Sequence, residues 1–202
     1  RYNNVWQIII RNTDDLSPSV LSIFKEAFDE SQGDFTTENI KLAEGVSYAW
    51  KWASAAYGMK ASGYVNGANV ELQSRLKSPA INLSSVKSAT LKFDQAINFS
   101  SDMTKECKVQ VSTNGKTWTD LDVKGYPTKN GWDFVTSTAD LTKYCGKTIY
   151  IGFLYSSSTS AAPTWEVKNF MVDKQNSPLY INKYSTINKK DKNIKNDKIS
   201  IF

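Results

Sequence analysis

The stretch Cys107–Leu121, CKVQVSTNGKTWTDL, decides how the chain is read. Val109 and Val111 alternate with Lys108, Gln110 and Ser112, the period-two pattern of a strand with one buried face. Asn114-Gly115 follows. A two-residue type I′ turn needs positive φ at both central positions, which Asn-Gly tolerates best, so the pair predicts a tight hairpin. Trp118 and Leu121 return on its far side, and the stretch holds no catalytic signature.

Working outward, the other apolar runs read as strands that pack around this hairpin. Leu91 and Phe93 share a face in Ala89–Phe99. Ile149, Ile151 and Phe153 alternate with Tyr150, Gly152 and Leu154, and Trp165, Val167 and Phe170 point inward from a closing strand. Leu72–Leu83 is interrupted at Ser78-Pro79, where proline marks an edge or a strand start. Phe24–Phe28 reads as a strand entering the body, although a helix over Ser19–Ala27 also fits. Residues 35–46 read as a long connection, and Asp102–Glu106 as a polar loop. Roughly eight to ten short strands with no long helical period predict an all-β, two-sheet antiparallel jelly-roll β-sandwich.

The composition removes several functions. The 202 residues contain no histidine, which excludes Ser-His-Asp and Cys-His catalysis. Of the net charge of +5, residues 183–198 supply +4, from six Lys against Asp191 and Asp197. The body is therefore nearly neutral and predicts no nucleic-acid groove. No run approaches the roughly 18 apolar residues of a membrane span. Cys107 and Cys145 are the only cysteines; a disulfide between them and two free thiols both remain open.

Aromatic residues crowd Val46–Val65, where Tyr48, Trp50 and Trp52 alternate. Most such rings serve as core, and the rest would form a stacking platform for sugars. Trp50, Trp52, Tyr57 and Trp132 are the candidate ligand contacts, because rigid aromatic faces bind at low entropic cost. Asp29, Glu30 and Asp34 beside a glycine turn read as solvated acids. Residues 1–18 form either the terminal strand of a preceding OB-like domain or an extra edge strand. The chain as a whole is expected to be an excised or processed part of a longer protein.

An ordered set of segments then carries a family resemblance. These are Tyr57–Tyr64 (YGMKASGY), Leu76–Ser84 (LKSPAINLS), Thr90–Asp94, Val109–Gly115 with Trp118, Asp140–Phe153 (DLTKYCGKTIYIGF) and Pro163–Val167 (PTWEV). Together they resemble the choice-of-anchor J or cleaved-adhesin domain of exported Bacteroidota proteins, over about residues 22–173. The resemblance implies a jelly-roll body at 19–173 without catalysis of its own, and a secreted or outer-membrane surface location. It implies a binding or adhesion module whose partner is a glycan or a surface protein. The alternative is an accessory domain of an exported nuclease or peptidase whose catalytic part lies upstream.

Two further expectations come from the same resemblance. Residues 174–202 form a polar linker, and Lys198–Phe202 resembles the opening of the C-terminal sorting domain that type IX secretion machinery recognises. The family often holds calcium between an acid of the first strand and acids of a Trp-Glu-Ile/Val-Asp-Asn motif. Asp29, Glu166 and Asn169 fit those positions, but Lys168 replaces the Asp. Lys168 is therefore expected to salt-bridge Glu26, Asp29 or Glu30 and to close the first and last strands without metal.

Overall fold

The computed structural model describes residues 20–175. The expectations for 1–18, for the 183–198 linker and for Ile199–Phe202 lie outside the described residues. Residues Leu21–Lys174 form one compact unit. Its strands in chain order are β1 (Val20–Glu26), β2 (Thr36–Lys41), β3 (Trp50–Ser54), β4 (Gly58–Ser62), β5 (Tyr64–Val65), β6 (Ala68–Asn69), β7 (Leu72–Lys77) and β8 (Ile81–Asn82). They continue as β9 (Ala89–Asn98), β10 (Cys107–Ser112), β11 (Thr119–Asp120), β12 (Val123–Lys124), β13 (Val135–Asp140), β14 (Thr148–Ser157) and β15 (Thr164–Gln175).

Two antiparallel sheets face each other. The first has the order β12-β13-β9-β15-β4-β3, with β1 also paired to β15; the second has the order β11-β10-β14-β7-β2, with β8 paired to β14. Strands distant in sequence are neighbours in both, so neither sheet is a simple meander. The central strands carry the alternation that the sequence displays. Leu91, Phe93, Val109, Val111, Ile149, Ile151, Phe153 and Val167 are at most 2% exposed. Aromatic rings lock the sheets edge to face: Phe93 meets Phe153 at 5.1 Å between centroids, Phe153 meets Trp165 at 5.6 Å and Phe170 at 6.0 Å.

Three local readings are corrected. Residues 35–46 contain β2, which pairs with β7. All six of its residues are exposed, and an edge strand with neither face buried has no alternation to display. Asp102–Glu106 contains one helical turn, Met103–Glu106. The Asn114-Gly115 hairpin forms, with Val111 opposite Thr119, but its connection is longer than two residues. Only Gly115 has positive φ there. Asn114 Oδ1 accepts the backbone N–H groups of Lys116 and Thr117, and Ser112 Oγ accepts those of Asn114 and Gly115. These local side-chain bonds compete with the ladder and open the turn. Both central residues have positive φ instead at Asn66-Gly67 (49° and 85°), between β5 and β6.

Part of the outer face of the second sheet is covered by its own side chains. Arg75, itself buried, lies 4.4 Å from the centroid of the Trp118 ring, and its Nε donates to Gln110 Oε1 at 3.2 Å.

Candidate functional site

The segment 45–49, strands β3 and β4, the β5–β6 hairpin and the loops at 99–101 and 160–162 surround an open cleft of about 1230 Å³. Its floor is the outer face of the first sheet. Trp165 and Val167 point into the core, so Glu166 between them points to this outer side. Across the floor, Lys51 stands opposite Lys60, and Lys60 opposite Glu166. Tyr48, Tyr64 and Phe99 stand on the walls among Ser62, Asn66, Asn69, Ser100 and Thr164. Lys51 Nζ lies 5.5 Å from the centroid of the Tyr48 ring.

Phe99 is the most conspicuous of these rings. It is 64% exposed and has φ of 61°. A bulky residue in the left-handed region costs of order 1–3 kcal/mol and persists only where its surroundings hold it. The neighbouring bonds supply that hold. Phe99 N–H donates to Asn98 Oδ1 at 2.9 Å, Ser100 N–H to Asn130 Oδ1 at 2.8 Å, and Asn130 Nδ2 back to the Ser100 carbonyl at 2.9 Å. The Glu106 carboxylate accepts the hydroxyls of Ser100 and Ser101 and the N–H groups of Ser101 and Asp102. Trp132 packs edge-on against Phe99 at 5.8 Å.

The four candidate contacts therefore separate. Trp132 joins the cleft through Phe99. Trp50 does not: it is 2% exposed, packs on Trp165 at 5.3 Å, and donates its indole N–H to the Ser74 carbonyl at 3.2 Å. Its alternation with Trp52 reflects a core position, which corrects the reading of Trp50 as a ligand contact. Trp52 is half-exposed, with its indole N–H held by the Phe28 carbonyl at 2.8 Å. Tyr57 is exposed in the β3–β4 turn. That turn lies beside Val167, whereas Ser62 at the far end of β4 faces Thr164 at the cleft. Phe99 was not legible as a contact, because Asn98-Phe99-Ser100 reads as the end of a strand and nothing in it encodes positive φ.

The residues suggested for calcium do not assemble a calcium site. The ion needs several convergent oxygens, and among the described residues no three acids or cysteines come together. Asp29 is exposed on the bend after β1. Lys168 is also not salt-bridged to Glu26, Asp29 or Glu30, which corrects that expectation. Its ammonium donates to the Ala56 carbonyl at 3.0 Å and sits 4.1 Å from the centroid of the Phe134 ring. Glu26 instead accepts the Phe28 N–H at 2.9 Å. A carbonyl and a ring face satisfy a cation without a carboxylate, so the cost of breaking a buried ion pair does not apply to this lysine.

Glu166 is 3% exposed and its Oε2 has no hydrogen-bond partner. Burial pushes its carboxyl above the usual range, against the opposing pull of Lys60 and Lys168. A carboxyl whose pKa is raised on folding binds its proton more tightly when folded. Its contribution to stability therefore falls as pH rises from the unfolded carboxylate range through the raised value. Glu166→Gln is expected to raise the melting temperature near pH 7 and to change it little near pH 4. Thermal melts at the two pH values check this, and an equal shift at both would contradict it.

Cys107 and Cys145 are free thiols. Cys107 pairs with Tyr155 near one end of β14, and Cys145 precedes the other end. They are thus separated by roughly 20 Å along the strand, beyond the reach of a disulfide. Burial pushes the Cys107 thiol well above its usual range, with Glu106 adding to the shift, so the thiolate needed for reactivity is suppressed.

The body is thus an antiparallel two-sheet β-sandwich with a polar, aromatic-walled cleft on one face. No protein-family pattern matches the chain, and no curated protein matches it in sequence. Among solved structures, the fold is shared with the K3 cleaved adhesin domain of Lys-gingipain from Porphyromonas gingivalis W83, at a TM-score of 0.52 and 12% identity over 77% of this chain and 99% of that domain. The K2 domain of the same protein gives 0.49 at 16% identity, over 76% of this chain and 99% of that domain. The K1 domain gives 0.49 at 14% identity, over 76% and 98%. Residues Leu21–Lys174 have the fold of a cleaved adhesin domain, with the K3 domain as the basis. No helix among the described residues is long and apolar enough to cross a membrane.

Proposed function

We propose that this chain is a non-catalytic adhesion module of an exported bacterial protein and that its cleft binds a glycan. The observation that carries this reading is Phe99, an exposed ring held at positive φ by a pinned loop and backed by Trp132. Tyr48 and Tyr64 stand on the same cleft with Asn and Ser side chains between them. Rings that stack on sugar faces beside amide and hydroxyl groups that bond sugar hydroxyls suit a saccharide. The fold shared with the gingipain K3 domain supports the adhesive role.

Phe99→Ala is expected to weaken glycan binding by about tenfold or more, as loss of a central aromatic anchor does, while leaving the melting temperature within a few degrees. A glycan array, followed by titration of the best hit with wild-type and variant protein, measures it. Binding to a host or bacterial surface protein in place of any glycan, or full affinity in the variant, would contradict the reading. Export is proposed to proceed by type IX secretion through the tail ending at Phe202. A reporter fused to residues 174–202 should leave a type IX-competent cell, and retention inside would refute it.

A further inference from the structure

We propose that the cleft is selective for an acidic saccharide, one bearing carboxylate or sulfate groups, and that Lys51 and Lys60 read that charge. The specificity rests on the glycan reading above. Lys51 and Lys60 are direct partners in the β3–β4 ladder and both line the cleft. Like charges directly opposite each other on neighbouring strands destabilise a sheet. Neither makes an ion pair among the described residues. The cleft lining contains no Asp or Glu at all. Two acids close to the cleft are held apart from it. Glu106 is held by the hydroxyls and N–H groups of the 100–102 loop. Glu166 stands opposite Lys60 in the ladder, but it is almost fully buried and is absent from the cleft lining.

The lining is therefore positive wherever it is charged, on a protein whose body is otherwise nearly neutral. Tyr48, Tyr64 and Phe99 surround that charge with rings. An anion carried on a sugar satisfies both features at once: the ring faces stack on pyranose faces, and the ammonium groups meet the acidic substituent. A neutral sugar leaves two adjacent ammonium groups to be stripped of water without a partner. An acidic peptide supplies charge but has no use for three exposed rings.

The full chain is titrated calorimetrically with oligogalacturonate, a sulfated heparin oligosaccharide, a neutral manno-oligosaccharide and poly-Glu, at low and at moderate salt. At least one acidic saccharide is expected to bind about tenfold or more tightly than the neutral one, with affinity falling as salt rises. Lys51→Gln and Lys60→Gln are each expected to lose about tenfold, the usual scale for one charged hydrogen bond. Lys51→Arg and Lys60→Arg keep binding, and Lys116→Gln, in the distant β10–β11 connection, changes nothing. Melting curves establish that each variant is folded. Equal binding of the neutral oligosaccharide, lost in Phe99→Ala and kept in both Lys→Gln variants, overturns the acidic specificity and leaves the glycan reading standing. Poly-Glu binding that Phe99→Ala does not weaken, or no binding of any saccharide, overturns both.

Discussion

Trp165→Ala is expected to lower the unfolding free energy by about 3–5 kcal/mol, the upper range for truncating a buried aromatic. Trp165 lies in β15, between β9 and β4, and is fully buried. Its ring touches Trp50 from its own sheet at 5.3 Å and Phe153 from the facing sheet at 5.6 Å. Loss of the indole opens a cavity at the point where the two sheets interlock. It also strands a polar chain. The indole N–H donates to Gln95 Oε1, Gln95 Nε2 donates to Ser137 Oγ, and that hydroxyl donates to the Gly125 carbonyl, each at 2.8 Å. Gln95 and Ser137 are fully buried, so no water replaces the lost donor. Trp165→Phe removes the N–H in full but only part of the ring volume, so its cost should be clearly smaller if the cavity dominates. Urea unfolding of both variants reads this out. A cost below about 1 kcal/mol for Trp165→Ala would mean that the sheets close over the gap.

The sequence made the central strands legible because their inward positions alternate as apolar residues, even where the opposite face is also covered, as at Gln110 and Ser112. Val109 and Val111, Leu91 and Phe93, and Ile149, Ile151 and Phe153 all sit where alternation places them. The same rule hides β2, whose six exposed residues carry no contrast. Turn chemistry was half legible. The Asn-Gly dipeptide occurs at both 66–67 and 114–115, and only the first has positive φ at both residues. At the second, Ser112 and Asn114 side chains capture four backbone N–H groups, a choice decided by hydroxyl and amide geometry rather than by the dipeptide.

The candidate site was less legible than the fold. Alternation put Trp50 and Trp52 together, but burial divides them, because the core takes Trp50 against Trp165 and Tyr155. Phe99 gains its importance from a backbone conformation fixed by Asn98, Asn130 and Glu106, and Asn130 and Glu106 lie outside its own strand. Lys168 was expected to seek an acid. It finds a carbonyl and a ring instead, and charge complementarity read from sequence counts neither.

Gly58→Ala carries the second large effect, an expected loss of about 2–5 kcal/mol from strain and overlap together. Gly58 opens β4 at φ of 67°, a region where an L side chain is strained. An added Cβ would also stand 2.3 Å from the Val167 carbonyl oxygen and 2.8 Å from Lys168 Cβ. The carbonyl is backbone and cannot rotate away as a side-chain end could. Val167 is held on both sides, opposite Met59 of β4 and Gln95 of β9. The overlap must therefore push β4 off β15, at the end of the hairpin away from the cleft. Gly67→Ala is the control. Its φ is 85°, but nothing lies within 4 Å of the added Cβ, so it should cost only about 1 kcal/mol of conformational strain. Comparative urea unfolding of the two variants isolates the close approach from the backbone preference. Equal losses would show that the Val167 carbonyl gives way and that the left-handed φ alone requires glycine at position 58.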